Sequence, residues 1–292
     1  MKKRTLKLIM SGLMIAMMGG ALAGCGDSGS DASTSSAGSA SSTSKGNQEV
    51  TIAVSGSTSV GPLMEKVAKA YEAKNTNVSI EINQVGSSAG IKDTINGVAE
   101  LGMSSRDLKD EEKASGVEGT AIAYDGIAVI VNPANKVTNL TLEQLKDVYT
   151  GKITNWKDLG GEDGQIVVVS REDGSGTRDA FQEIVGYKSE ELVADATIAD
   201  GSGNIKTTVA GNKNAIGFVS FSYVDNTVSA IEVNGVKPEE ELAKSGEYKL
   251  SRPFLIVTKK DTLTDEGKKV IDYILSEEGQ KIVEEDKLIK VK

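Results

Sequence analysis

The chain has 292 residues, a formal net charge of −9, no histidine and one cysteine. The acidic balance, with no basic stripe, argues against nucleic acid as a partner. The missing histidine removes a Ser-His-Asp triad and a histidine-ligated metal, and one cysteine can neither close a disulfide within the chain nor build a thiolate zinc site.

Lys2, Lys3, Arg4 and Lys7 precede an apolar run from Leu8 to Leu22, too short and glycine-rich to span a bilayer. It ends in Leu22-Ala23-Gly24-Cys25, which resembles the lipobox of bacterial lipoproteins. Residues 1–24 are therefore expected to be a lipoprotein signal peptide, with Cys25 acylated as the mature N-terminus. Residues 25–48 are rich in Ser, Gly and Ala, cannot bury a core, and are expected to be a tether. A lipid chain of this kind anchors without spanning.

The body alternates strand and helix signals. Val50–Val54 reads as a strand that enters Ser55-Gly56-Ser57-Thr58-Ser59-Val60-Gly61-Pro62, and a helix follows with Leu63, Val67, Ala70 and Tyr71 at helical spacing. Val78–Asn83 alternates as a second strand, enters Gln84-Val85-Gly86-Ser87-Ser88-Ala89-Gly90, and leads to a helix through Ile91, Thr94 and Ile95. A short strand over 99–103 ends in Met103-Ser104-Ser105-Arg106-Asp107. Ala121–Pro133 is a long apolar strand broken by Asp125-Gly126, and Arg252–Thr258 is another. Leu142, Leu145, Val148 and Tyr149 predict a helix, after which Trp156 is expected to pack under a loop. Thr264–Glu278 reads as one amphipathic helix, and Ser202-Gly203-Asn204-Ile205 precedes a helix-like run whose serine either lines a cleft or caps a surface helix.

The most informative stretch is Val167-Val168-Val169-Ser170-Arg171-Glu172-Asp173-Gly174-Ser175-Gly176-Thr177-Arg178, a buried strand, a glycine turn and a helix starting near Thr177. Such a turn gathers free backbone N–H groups at the positive end of the helix dipole. Gly174 and Gly176 permit close approach, Ser175 and Thr177 add hydroxyls, and Arg171 adds a planar cation. The set suits a small tetrahedral oxyanion, although an ordinary capped helix start would use the same residue types.

Strands alternating with helices imply an α/β fold whose ligands sit beyond the carboxyl ends of the strands. The two long strands suggest two crossovers between lobes: 49–125 plus 250–292 as lobe I, and 126–249 as lobe II. This gives a two-lobed α/β fold with two hinge crossovers, able to close on a ligand.

Taken together, Ser55–Val60, Gly86–Gly90, Met103–Arg106 and Arg171–Thr177 resemble the phosphate-binding lipoproteins of Pst-type ABC importers. Ala215-Ile216-Gly217-Phe218-Val219 and Asp125-Gly126-Ile127-Ala128-Val129 also resemble family segments, so the likeness covers nearly all of 49–292. The resemblance implies a two-lobed periplasmic-binding-protein-like fold with inorganic phosphate in its interlobe cleft, and delivery to the transmembrane subunits of a permease with a cytoplasmic ATPase. It also implies an extracytoplasmic, lipid-anchored monomer with no cofactor, no metal and no catalysis. Carried over by position, Arg171, Ser175, Gly176 and Thr177 would bind phosphate from lobe II, with Asp173 holding the Arg171 guanidinium. Thr58 with Ser57, and Ser88 with Ser87, would bind from lobe I.

One departure concerns Ser105, which stands where many family members place an aspartate. That carboxylate accepts the proton of monohydrogen phosphate and repels sulfate. Here the acceptor must be Asp125, Asp107, Glu172 or a serine hydroxyl. Two roles stand for Arg106: a second cation, which would strengthen anion binding, loosen selectivity and keep sulfate, molybdate or a phosphonate open as alternative ligands, or a solvated pair with Asp107 at a strand end.

Overall fold

The computed structural model describes residues 49–291. The expected signal peptide, the tether and Cys25 lie outside the described residues.

The chain runs β1 (Val50–Gly56), α1 (Gly61–Glu72), β2 (Val78–Gln84), α2 (Ser87–Ile95), β3 (Leu101–Ser104), α3 (Asp110–Ala114) and the long β4 (Val117–Val131). It continues through β5 (Asn139–Leu140), α4 (Leu142–Tyr149), β6 (Val167–Arg171), α5 (Gly176–Val185), β7 (Thr197–Ala199), α6 (Gly201–Gly211) and β8 (Ala215–Ser220). Short β9 (Ser229–Ala230), β10 (Glu232–Val233) and α7 (Glu240–Lys244) lead into β11 (Ser251–Lys259), α8 (Asp265–Leu275) and α9 (Glu277–Glu285).

The main sheet has the order β2-β1-β3-β11-β4-β8-β6-β7. Its two ends are parallel: β1 pairs with β2 and β3, and β6 with β7 and β8. Its centre is antiparallel, with β11 between β3 and β4, and β4 beside β8. Parallel strands need crossovers, and helices supply them, so the strand-to-helix turns of each end open on one edge.

β4 changes partner midway. Residues 117–126 pair with β11, whereas Ile127–Val131 pair with β8. Two separate cores follow the same division. Ile122 and Ala123 pack with Ile52, Leu63, Met64, Leu101, Phe254 and Val270. Ile127–Val131 pack with Tyr149, Trp156, Val169, Phe181, Ile205 and Phe218. Ile289 also packs with the second core, although it follows β11 in the chain.

Two expectations need correction. Asp125-Gly126 does not break β4, because the buried carboxylate is fully hydrogen-bonded and Gly126 leaves room for the Phe221 ring, which a Cβ there would meet at 2.1 Å. The helix expected over Thr264–Glu278 is two helices, because Ser276 takes an extended conformation (ψ 167°) and its hydroxyl caps α9 by accepting from the Gly279 amide at 3.2 Å. Trp156 is buried, and its indole N–H donates to the Asn214 carbonyl at 2.9 Å.

Candidate functional site

Five turns converge between the two cores. Ser57, Thr58 and Ser59 lie between β1 and α1, Ser87 and Ser88 open α2, and Ser105 follows β3. From the other side come Arg171–Thr177 between β6 and α5, and Ser202 in the first turn of α6. The hydroxyls form two hydrogen-bonded groups, joined where the Ser59 amide donates to Ser57 Oγ at 3.2 Å. Ser57 Oγ donates to Ser105 Oγ at 2.9 Å, and the Ser87 and Ser105 hydroxyls lie 3.3 Å apart. Ser59 Oγ bonds Thr177 Oγ1 at 2.7 Å and Ser202 Oγ at 3.0 Å, while Thr58 Oγ1 reaches Ser202 Oγ at 3.2 Å. Ser57, Ser59, Ser87, Ser105, Thr177 and Ser202 are each at most 2 % exposed. A hydroxyl can turn to donate or accept, so this dry cluster can present donors to an anion without fixed charge.

Helix α5 adds backbone donors. Ser175 Oγ caps it by accepting from the Arg178 amide at 3.2 Å. Among the described residues the Gly176 and Thr177 amides have no acceptor, as the first turn of a helix leaves them. The turn before it needs Gly174, whose φ is 86°, and whose carbonyl accepts from the Ser88 amide of the opposite side at 3.1 Å. Gly176 faces that side so closely that a Cβ would lie 2.3 Å from Ser87 Oγ and 2.9 Å from Ser105 Oγ.

Arg171 is buried at the centre of the cluster. Its Nε and Nη2 donate to the two oxygens of Glu172 at 2.7 and 2.6 Å, Nη2 also to Thr58 Oγ1 at 3.0 Å, and Nη1 to Ser202 Oγ at 3.1 Å. Of the five guanidinium N–H groups, one on Nη1 has no acceptor among the described residues. Burial by itself would raise the Glu172 pKa, but the hydrogen bonds and charge of Arg171 override it and hold it below the usual carboxylate range. The expected Asp173–Arg171 pair does not form. Asp173 is exposed and accepts from Arg178 Nη1 at 2.7 Å, because Gly174 turns the chain outward and leaves Glu172 inward beside Arg171.

Arg106 is also buried, but it is not free to bind an anion. Nη1 donates to the Asp107 carbonyl and to Glu112 Oε2, each at 2.8 Å. Nη2 donates to Ser88 Oγ at 3.1 Å and to Glu112 Oε1 at 2.8 Å. Nε lies 3.0 Å from Asp179 Oδ2, off the N–H axis, so that contact is an ion pair rather than a linear hydrogen bond. Burial would lower its pKa, and the Glu112 and Asp179 carboxylates outweigh that and raise it.

Of the three carboxylates considered as proton acceptors, Asp125 is saturated, Glu172 is clasped by Arg171, and Asp107 is exposed. Asp125 Oδ1 accepts from Ser220 Oγ at 2.8 Å and the Phe221 amide at 3.2 Å, and Oδ2 from Arg252 Nη2 at 2.9 Å and Nε at 3.2 Å. Burial pushes the Asp125 carboxyl upward, and the Arg252 charge opposes it. Arg252 Nη1 then donates to the Ser105 carbonyl at 3.2 Å, so Asp125 supports the cluster from behind. Glu172 Oε2 accepts from Arg171 Nε and from the Gly201 amide at 3.1 Å, while Oε1 accepts only from Arg171 Nη2.

Ser59, the Glu172 clamp and Arg252 escaped the sequence reading, and Ser202 was left between two roles. Asp200-Gly201-Ser202-Gly203 is a further Gly/Ser turn of the kind that opens the other helices, but β7 has only three residues and gave no strand signal.

The sequence matches the PBP superfamily domain over residues 32–278. It is 35% identical to the phosphate-binding protein PstS of Bacillus subtilis (strain 168) over 294 residues, covering 98% of this chain and 93% of that one. The PstS of Borreliella burgdorferi (strain ATCC 35210 / DSM 4680 / CIP 102532 / B31) is 29% identical over 84% of this chain and 91% of its own length. Among solved structures, one from Clostridium perfringens, named as a phosphate ABC transporter substrate-binding protein with bound phosphate, superposes with a TM-score of 0.82 at 63% identity, covering 83% of this chain and all of that one. An ABC-type phosphate transport receptor from Vibrio cholerae superposes with a TM-score of 0.70 at 38% identity, covering 82% and 99%.

Proposed function

We propose, from the premise that this chain belongs to the PstS family of phosphate-binding proteins, that it binds inorganic phosphate between its two halves and delivers it to an ABC permease. The observation that carries the reading is the joining of hydroxyls from both halves around Arg171 and the free amides of Gly176 and Thr177.

In this reading 49–125 plus 250–292 form one lobe and 126–249 the other, with the middle of β4 and the chain entering β11 as hinge crossings. Ser57, Thr58, Ser87, Ser88 and Ser105 meet the anion from the first lobe; Arg171, Ser175, Gly176 and Thr177 meet it from the second. Ser59 and Ser202 join them. The donors are largely neutral dipoles, so the anion is dehydrated and held without a cage of cations, and opening the jaws releases it. No bond is made or broken. The signal peptide, acylated Cys25 and tether would hold a monomer at the outer face of the membrane, within reach of the transmembrane subunits served by a cytoplasmic ATPase.

The filled carboxylates favour a second reading of the ligand range. With Asp125 saturated and Glu172 clasped at both oxygens by Arg171, a serine hydroxyl is left to accept the phosphate proton, and a hydroxyl can also donate to sulfate. Calorimetric titration with phosphate, repeated in excess sulfate, decides. Tight one-to-one binding that survives sulfate supports phosphate. Binding abolished by sulfate, or shared with molybdate or a phosphonate, supports the broader oxyanion class. No heat with any of these overturns the reading.

A further inference from the structure

Arg106 sits beside the hydroxyl cluster; its four Nη N–H groups donate to protein oxygens, and Nε is ion-paired with Asp179 without a hydrogen bond. Its partners are divided between the two halves. Glu112 takes both Nη groups from α3, on its own side. Asp179, which faces Nε at 3.0 Å, belongs to the first turn of α5, the helix whose Gly176 and Thr177 amides point at the anion site. The Arg106 side chain is 6% exposed and that of Asp179 is 29% exposed, so this contact is partly screened from water and is made at the cleft margin. Lys109 adds a second positive charge 3.8 Å from Asp179.

We propose that Arg106 is a positioning residue that latches the two halves together, and that it is not a ligand of the anion. This rests on the two-lobed binding reading given above. Glu112 holds the guanidinium in a two-pronged grip, so the arginine is already oriented before closure and little side-chain entropy is lost when Asp179 arrives. Ser88, held by Nη2, is the residue whose amide also reaches across to the Gly174 carbonyl, so the latch aligns the neighbouring cross-cleft hydrogen bond. Such a contact exists only in the closed form. It therefore acts on escape of the ligand and leaves encounter alone.

The test is stopped-flow measurement of phosphate association and release for the wild type, Asp179→Asn, Asp179→Glu, Arg106→Gln and the double variant Arg106→Gln/Asp179→Asn. Small-angle scattering of each protein is recorded alongside. The latch predicts about five-fold faster release for Asp179→Asn with association unchanged, the size expected of a partly exposed ion pair. Asp179→Glu restores slow release, and adding Asp179→Asn to Arg106→Gln changes nothing further. If Arg106 instead binds the anion, Asp179→Asn leaves release unchanged or slower, and Arg106→Gln slows association; either result overturns the latch. If the wild type takes up no phosphate, the binding reading fails separately. The latch then stands only if Asp179→Asn still scatters as a more open particle than the wild type.

Discussion

Two buried arginines flank the same hydroxyl cluster and do opposite things. Arg171 is gripped by one carboxylate, Glu172, and spends its other contacts on Thr58 and Ser202, hydroxyls that can exchange one partner for another. One of its N–H groups has no protein acceptor among the described residues. Arg106 meets two carboxylates: Glu112 grips both Nη groups, and Asp179 sits against Nε, the one N–H that makes no hydrogen bond. The charge is the same in both cases. The partners decide whether the guanidinium can reach a ligand or is consumed in holding the protein together. A cation near a binding site is therefore not evidence of a ligand until its donors are accounted for.

The largest expected effect breaks the comparison at Arg171. Arg171→Ala should weaken phosphate binding by about 2–5 kcal/mol, the usual consequence of stripping one partner from a buried charged cluster. Calorimetry that finds near-wild-type affinity would remove Arg171 from the site.

Gly176→Ala tests whether the two halves must approach as closely as they do here. Its Cβ would collide with Ser87 Oγ, so either the jaws stay apart or the serines move. The cost in affinity should be about 1–3 kcal/mol, in line with overpacking of a tight interface. The melting temperature without ligand should change far less, since neither core contains this residue.

Acid sharpens the comparison, because both arginines depend on carboxylates held below their ordinary range. Burial alone would raise Glu112 and Glu172, but the arginines hold both down. A depressed carboxylate contributes stability that is complete above its unfolded value, about 4.3 for glutamate, and is lost as pH falls through the folded value. With no histidine in the chain, no side chain of ordinary pKa titrates between pH 5 and 8. Phosphate affinity, corrected for the ligand's own protonation, should stay flat from pH 8 to 5 and fall below about pH 4. A fall that begins well above pH 4 would point to Asp125, whose carboxyl burial pushes upward, whereas affinity undiminished below pH 4 would contradict the assignment of these clamps.

The smallest effect belongs to Asp173. Its side chain is 95% exposed and pairs only with Arg178, so Asp173→Ala should alter binding by at most about 0.5 kcal/mol. Glu172→Gln, by contrast, should impair binding measurably. Equal losses in the two variants would restore the expectation that Asp173 supports Arg171.

Much of this arrangement was legible in the sequence, and the pattern of misses has a physical basis. Gly-rich turns after Val50–Val54, Val78–Asn83 and Val167–Val169 announced α1, α2 and α5, because a strand's alternation and a helix's apolar spacing are local properties. The α6 turn was only half seen, since three-residue β7 is too short to carry a period. Partners of charged side chains were the weakest part of the reading. Asp173 and Glu172 are adjacent in sequence, and nothing local says which one turns inward; the positive φ of Gly174 and the position of α6 decide it. Asp125 looked like an available acceptor until Arg252, 127 residues later, was found against it in the neighbouring strand.

By itself, then, the sequence determined the α/β alternation, the serine- and glycine-bearing turns that open the helices, and the absence of histidine chemistry, all of which follow from residue type and short-range spacing. Only the tertiary structure decided which carboxylates clasp each arginine, that Ser59 and Ser202 belong with Thr177, and that Asp125 is saturated by Arg252, Ser220 and the Phe221 amide. Those outcomes depend on contacts between residues up to 147 positions apart, as between Arg252 and the Ser105 carbonyl, and such pairings are fixed by the packing of sheets and helices rather than by the local chain.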